Sequence, residues 1–316
     1  MKITALAGGV GGAKLAQGLA EILSPDDLTI IVNTGDDFNL FGLNISPDLD
    51  TICYTLANKA NTEAGWGIQE ETFKILENIS KLNGPTWFKL GDKDLATHLV
   101  RTQFLKEGLS LTAITKRFCE TWNVKPKVLP MSDMPVRTIL ETVQKGIINF
   151  QEYFVKNKFQ LTVKNIWFQG IDTALPSEEV KKAIIDSDAI IICPSNPFVS
   201  IDPILSLKGL REMITQKYVV AVSPLINRRA LKGPLAKMFL DMGKKPSVNA
   251  IINHYKDFLN CLFIDTSDWR EINAKVDETN ASCIILKSTN IFLPDINSRI
   301  RLAGEIIEFL ENRNRK

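Results

Sequence analysis

Short, almost purely apolar runs punctuate the chain at Ile3–Ala7, Leu28–Val32, Ala189–Cys193 and Val219–Val222. Each gives way to a polar loop, and the first leads through a glycine cluster into the amphipathic stretch Lys14–Leu23. Runs this short and this continuously apolar, alternating with helical patterns, predict strands of a parallel sheet covered on both faces. Asn260–Ile264, Ser282–Leu286 and a last helix near Ser298–Glu311 read as the far side of the same sheet.

The middle of the chain follows a different rule. Thr51–Ala60, Gln69–Leu82, Asp94–Glu107 and Leu111–Trp122 carry helical patterns with little strand between them, and Val136–Thr142 with Ile147–Phe154 reads as a hairpin turning at Gln144–Gly146. The expected fold is a single α/β unit over residues 1–316, a Rossmann-like three-layer core with a mostly parallel sheet and an inserted, largely helical region around 52–125.

Composition narrows the class without naming a function. The 316 residues are 45% hydrophobic and 23% charged, with a net charge of only +2, so any attraction for anions is local, and nucleic acid and membrane surfaces are not expected partners. Five scattered cysteines with no CxxC pair read as reduced core thiols. The opening MKITALAGG lacks the charged segment and cleavage site of a signal peptide, and no apolar run reaches the ~18 residues of a membrane span. A cytoplasmic enzyme or binding protein is expected.

Candidate chemistry gathers in the loops that follow the apolar runs. Gly8-Gly9-Val10-Gly11-Gly12-Ala13-Lys14 lies between the first strand and first helix, where glycines let a phosphate approach free N–H groups at a helix start. It is not a P-loop, and it departs from GxGxxG because Lys14 stands where the third glycine belongs. After the second run comes Asn33-Thr34-Gly35-Asp36-Asp37, and then Ser46-Pro47-Asp48-Leu49-Asp50-Thr51, which opens a helix. Ser46 suits the N-cap, Pro47 the first helical position and Asp48 the helix dipole, which would leave Asp48 facing solvent. Asp50, on the opposite side of the helix, would then meet Asp36 or Asp37 in the crevice and form an Mg²⁺ site with diphosphate oxygens.

Further along, Lys89 ends a short apolar run before Asp92, and Asp94 and His98 share a helix face. Lys89 is a candidate phosphate or ring-oxygen partner; a strand-end lysine in solvent would look the same. Ser195 and Asn196 follow a buried run at what would be the ligand edge of the sheet, and Asp202-Pro203 reads as an N-cap and first helical residue.

Together AGGVGGAKL (7–15), NTGDD (33–37), SPDLDT (46–51), LGDKDLATH (90–98), PMSDMPVRT (130–138), FQEYFV (150–155) and PSNPFVSIDPIL (194–205) resemble the 2-phospho-L-lactate transferase family of coenzyme F420 biosynthesis. The resemblance implies Mg²⁺ dependence and two substrates: a guanosine diphosphate carrying 2-phospholactate or phosphoenolpyruvate as donor, and the deazaflavin Fo as acceptor, with GMP released. It also implies that Asp50 and Lys89 border the deazaflavin, and that Asp50 with an acid of the Asp36-Asp37 pair holds the metal. Gly9, Gly11, Gly12, Lys14, Asp92, His98, Ser195 and Asn196 complete the expected substrate-binding set, with Arg137 a candidate for the donor's acid group. Asp50 is the first choice for the contact that helps the ribityl hydroxyl lose its proton, so Asp50→Asn is expected to abolish transfer and leave the fold intact. A homodimer is conceivable.

Two other classes share parts of this pattern. An NAD-dependent oxidoreductase would open with the same strand, glycine turn and helix, but it leaves the third-glycine position and the later motifs unexplained. Non-catalytic proteins that bind nucleotide sugars resemble the opening and the acidic loop. In those the loop tends to run on into glycine and serine, whereas here it continues into Phe-Asn-Leu-Phe-Gly.

Overall fold

A computed structural model describes residues 1–61, 65–230, 233–269 and 284–314. The strands are β1 (Ile3–Ala7), β2 (Leu28–Val32), β3 (Phe38–Leu40), β4 (Leu43–Ile45), β5 (Lys127–Pro130), β6 (Arg137–Thr142), β7 (Gly146–Asn149) and β8 (Val163–Gln169). They continue with β9 (Ala189–Ile192), β10 (Tyr218–Val222), β11 (Leu225–Ile226), β12 (Arg229–Ala230), β13 (Cys261–Asp265) and β14 (Ile285–Thr289). Seven of them form one sheet in the order β14-β13-β10-β9-β1-β2-β5, and every pairing in it is parallel.

Side chains that alternate along a strand point to opposite faces, and here both faces are dry. Leu6, Ile31, Leu129, Ile190 and Ile192 belong to one apolar cluster. Their neighbours Ala5, Ala7, Ile30, Val32, Val128 and Ile191 belong to another, beneath α1 (Gly9–Ile22) and the last described helix, Ile296–Asn314. This double burial is why the strands read as unbroken apolar runs.

The strand order reverses at β1. The chain steps from β1 outward to β2 and β5, then returns across β1 to β9 and continues to β14. Connections therefore leave β1 and β9 in opposite directions, opening a crevice at their carboxyl ends, the usual ligand position in such sheets.

Between β2 and β5 lie the β3–β4 hairpin and helices α2 (Pro47–Leu56), α3 (Lys74–Lys81), α4 (Asp92–Lys106) and α5 (Leu111–Thr121). The hairpin has its own small core of Phe38, Leu40, Ile45 and Leu90, with Trp87 and Phe88 packed against it.

Several element boundaries differ from expectation. Helix α1 begins at Gly9 rather than near Lys14, so the glycine cluster is the first turn of the helix and not a loop before it. Helix α2 starts at Pro47 and ends at Leu56, well short of Ala60. Helix α3 starts only at Lys74, where the Asp92 carboxylate accepts from the backbone N–H groups of Lys74 and Ile75. The expected hairpin forms as β6 and β7, but β7 stops at Asn149 and a π-helical turn, Glu152–Lys156, replaces its end. Strand β8 joins β6 as a third, unforeseen antiparallel strand. Asp202 does not cap a helix. Asn196 caps the π-helical turn Pro197–Ile201 by accepting from the Phe198 N–H, and the Asp202 carboxylate instead contacts His254 Nε2 at 2.8 Å. Of the strand expected at Ser282–Leu286, Ser282 and Cys283 lie outside the described residues. Among the described residues, no helix is long and apolar enough to cross a membrane.

Helix α1 lies so close to the last helix that a Cβ on Gly18 would stand 2.3 Å from the Arg299 carbonyl oxygen. A backbone oxygen cannot swing aside as a side chain can, so Gly18→Ala is expected to destabilise the fold by about 2 kcal/mol in urea or guanidinium unfolding, despite alanine's better helix propensity.

Candidate active site

The carboxyl ends of β1 and β9 are stitched together by one side chain. Ser195 Oγ accepts from the Gly8 N–H at 3.0 Å and donates to the Gly8 carbonyl at 2.8 Å, so the hydroxyl satisfies both backbone groups of the residue that caps α1. The approach is close enough that a Cβ on Gly11 would lie 2.3 Å from the Pro194 carbonyl oxygen, and one on Gly12 would lie 2.5 Å from Ser195 Oγ. Gly11 and Gly12 are thus required by contact between α1 and the β9 loop. Gly9 differs: it has φ +64, a conformation that favours glycine, and Asp48 Oδ1 lies 3.9 Å from its Cβ position.

Beside this turn stands a group of buried carboxylates held by Asn33, at the end of β2. The Asn33 carboxamide donates to Asp36 Oδ1 at 3.1 Å, to Asp48 Oδ2 at 2.9 Å and to the Val199 carbonyl at 3.1 Å, while its own oxygen accepts from the Gly35 N–H. Asp48 does not face solvent as expected. It is 5% exposed, and its carboxylate also takes the Gly9 N–H, so the start of α2 points into the crevice. Ser46 occupies the N-cap position, but its hydroxyl donates to Asp37 Oδ2 at 2.8 Å instead of capping the helix.

Burial governs the electrostatics of these acids. It pushes Asp36 well above the ordinary carboxylate range, and the charge of Asp48 adds to the effect. Burial raises Asp48 to about 6 against its bonds from Asn33 and Gly9. It also raises Asp37 to about 7, opposed first by the Arg137 guanidinium and then by Ser46. Asp37 Oδ1 is buried without a hydrogen-bond partner. Crowded, desolvated carboxylates that share one neutral amide donor are what a hard divalent cation would relieve, and two carboxylates plus phosphate oxygens suit Mg²⁺. The pair that fits is Asp36 with Asp48.

Asp50 lies on the other side of α2, as its spacing from Asp48 requires, in a network of its own partners whose charges still reach Asp37. Both its oxygens are engaged by Arg101 of α4, Oδ2 at 3.0 Å from Nη1 and Oδ1 from Nη2. Nη1 also meets His98 Nδ1 at 3.1 Å, and His98 Nε2 faces Asp94 Oδ1 at 3.4 Å. Tyr54 Oη lies 2.8 Å from the same Asp94 oxygen. Burial raises Asp50, with Arg101 and His98 pulling in the opposite direction. Asp50, Asp94 and His98 offer ligand atoms within 4.8 Å of one another. The imidazole and the guanidinium already on Asp50 make that group a poor match for Mg²⁺.

The other expected site residues are dispersed. Lys89 is exposed on the segment before α4, and Asp92 ties α3 to α4. Arg137 begins β6, where its charge reaches Asp37. Lys14 lines a small groove with Thr51, Thr55, Trp66 and Arg299, on the flank of α1 that faces α2 and the last helix. The Asn196 side chain accepts from the Phe198 N–H in its own loop and donates to Met238 Sδ. The sequence points to no role for Asn33 or Arg101 and offers the helix dipole as the role of Asp48. Arg101 continues the spacing of Asp94 and His98 along one face of α4, a stripe that the sequence does contain.

Residues 3–287 match the family model described as 2-phospho-L-lactate transferase CofD. The chain belongs to that family. Its relatives include a phosphoenolpyruvate transferase from Streptomyces griseus, 38% identical over 98% of this chain and 99% of that one. They also include a 2-phospho-L-lactate transferase from Methanocaldococcus jannaschii, 37% identical over 97% of each chain. Among solved structures, a UPF0052 family protein from Bacillus halodurans superposes with a TM-score of 0.63 at 18% identity, covering 97% of this chain and 98% of that one; it shares the fold. The chain is therefore a transferase of the 2-phospho-L-lactate transferase family, built on a Rossmann-like α/β sheet.

The acids at the β2 end carry a prediction for stability. Carboxylates with raised folded-state values bind protons more tightly when folded than when unfolded, so they favour folding at low pH and oppose it as pH rises through the folded values. For Asp48 at about 6 and Asp37 at about 7, the metal-free protein is expected to melt at a higher temperature near pH 5.5 than near pH 8. Calorimetry in buffers free of divalent cations checks the sign.

Proposed function

We propose that the chain transfers a phospho-organic acid from a guanosine diphosphate donor to the terminal ribityl hydroxyl of the deazaflavin Fo, releasing GMP, in coenzyme F420 biosynthesis. The observation that carries this reading, beside membership of the family, is the Asp36–Asp48 pair on Asn33, set beside the start of α1 at the strand reversal. A diphosphate seated there meets N–H groups and positive helix potential on one side and carboxylates able to hold its cation on the other.

The acceptor oxygen forms a bond to the phosphorus that bears the organic acid, the bridge breaks with its electron pair leaving on GMP, and the hydroxyl proton passes to water. Such transfers depend on positioning and charge neutralisation more than on covalent help from the protein. Mg²⁺ held by Asp36 and Asp48 would supply charge neutralisation to the diphosphate. The Gly8 and Gly9 N–H groups are taken by Ser195 and Asp48, so the next N–H groups of the first turn, those of Val10 and Gly11, orient the donor's phosphates. Asp50, fixed by Arg101, accepts a hydrogen bond from the acceptor's ribityl hydroxyl and sets its line of approach. The Arg101 guanidinium on both oxygens of Asp50 opposes its protonation, so Asp50 orients that hydroxyl rather than keeping its proton. Lys89, exposed beside the hairpin, is placed to meet the deazaflavin's outer edge.

The organic acid is an open choice, because the phosphoenolpyruvate and 2-phospho-L-lactate transferases named above are 38% and 37% identical to this chain. Purified protein incubated with Fo, Mg²⁺ and each guanylated donor, with products followed by mass spectrometry, tests the reading and selects the donor. A phosphodiester of Fo appearing with GMP, only when divalent metal is present, is expected. Folded protein that yields no product with any donor would instead favour a nucleotide-binding regulator.

Two variants sharpen the assignment. Asp48→Asn is expected to raise the Mg²⁺ concentration needed for half-maximal rate by about tenfold or more, since it removes one of two carboxylates. Asp50→Asn is expected to abolish transfer but not to leave the fold untouched: it strands the buried Arg101 charge and should cost about 3 kcal/mol in denaturant unfolding. Its activity is therefore to be assayed below its own melting temperature.

A further inference from the structure

Arg101 is the largest of the side chains less than 2% exposed, and burying a guanidinium is costly unless its donors are well matched. Its match is one-sided. The edge facing α2 grips both oxygens of Asp50 and reaches His98 Nδ1, while Nε has no partner and Phe118 of α5 lies 5.7 Å from the guanidinium carbon. Helix α4 is itself fixed beside the hairpin, where the Asn44 N–H donates to Thr102 Oγ1 at 2.8 Å. The inserted helices thus deliver one charged fork to one carboxylate of the core.

That carboxylate differs from its neighbours. Asp36 and Asp48 share Asn33 and crowd the start of α1, whereas Asp50 is held apart by Arg101 on the opposite side of α2. Asp50 is near enough for its charge to bear on Asp37, so without the fork a third unneutralised carboxylate would add to the acids that face the donor. A lysine could supply the charge but not the geometry, because an ammonium is a point charge and cannot hold two oxygens in a plane.

We propose that Arg101 is the positioning residue of the acceptor side: it fixes the plane of Asp50 and reserves that carboxylate for the acceptor hydroxyl, leaving Asp36 and Asp48 to the donor. This rests on the transfer reaction proposed above. His98 Nδ1 meets the same Nη1 that grips Asp50, and Asp94, which accepts from Tyr54, stands 3.4 Å from His98 Nε2.

The test compares wild type, Arg101→Lys and Arg101→Ala in the Fo transfer assay, with melting temperatures measured in parallel. For Arg101→Lys, a folded protein is expected whose kcat falls about tenfold or more while the KM for the guanylated donor stays near wild type. In Arg101→Ala, added guanidinium at millimolar concentration is expected to restore turnover, and methylammonium is not, because only the former presents a planar fork. Should Arg101→Ala fail to fold, the lysine variant decides alone. Turnover within about twofold of wild type in folded Arg101→Lys, or equal rescue by both cations, overturns the proposal. Wild type that makes no Fo ester overturns the transfer reading itself, whereas active wild type with an equally active lysine variant removes only the role of Arg101.

Discussion

The Asn33 carboxamide joins three parts of the chain that no backbone hydrogen bond connects: the loop after β2, the first turn of α2 and the π-helical turn after β9. Each partner is an acceptor, and two of them are buried carboxylates that repel one another. A neutral side chain with two amide hydrogens is almost the minimum that can keep such a group together without cancelling its charge. Replacing the carboxamide with a cation would neutralise the acids, and replacing it with an apolar group would leave them without a donor. The negative potential of the crevice depends on this compromise.

Around that point the structure separates two kinds of acid. The Asp36–Asp48 pair is under-neutralised and poised for a cation, while Asp50 is fully engaged by Arg101. Both kinds arise from one short segment, because residues two apart on a helix face opposite ways and here both directions are buried. Helix α2 can offer both because Asn33 and the start of α1 meet it on one side and α4 on the other.

Much of the fold was legible in the sequence. Strands β1, β2, β9 and β10 announce themselves because both their faces are dry, and the reversal of strand order places the crevice once they are known. Strand β8 was hidden because its VKNIWFQ pattern leaves most of its side chains partly in solvent. The start of α1 was misplaced because glycines resist helix formation on their own, and here the approach of the β9 loop, which only glycine permits, overrides that preference. At the site, the acidic loops were visible but their pairing was not. Asp48 has a sufficient local explanation as an early helical acid, and only tertiary packing shows that it is buried. Arg101 reads locally as one more cation on a helix, and its burial depends on α4 meeting the hairpin and α2.

Helix α1 is secured at two levels, by the Ser195 hydroxyl on Gly8 at its start and by the Arg299 carbonyl pressed against Gly18 further along. A dipole held this way cannot swing to greet an arriving anion or relax as charge moves along a breaking phosphate bridge. In water, solvent dipoles must rearrange at every such step, and that rearrangement makes up much of the barrier. Here the work of aiming the N–H groups is done once, when the chain folds, and each turnover inherits it without repeating it.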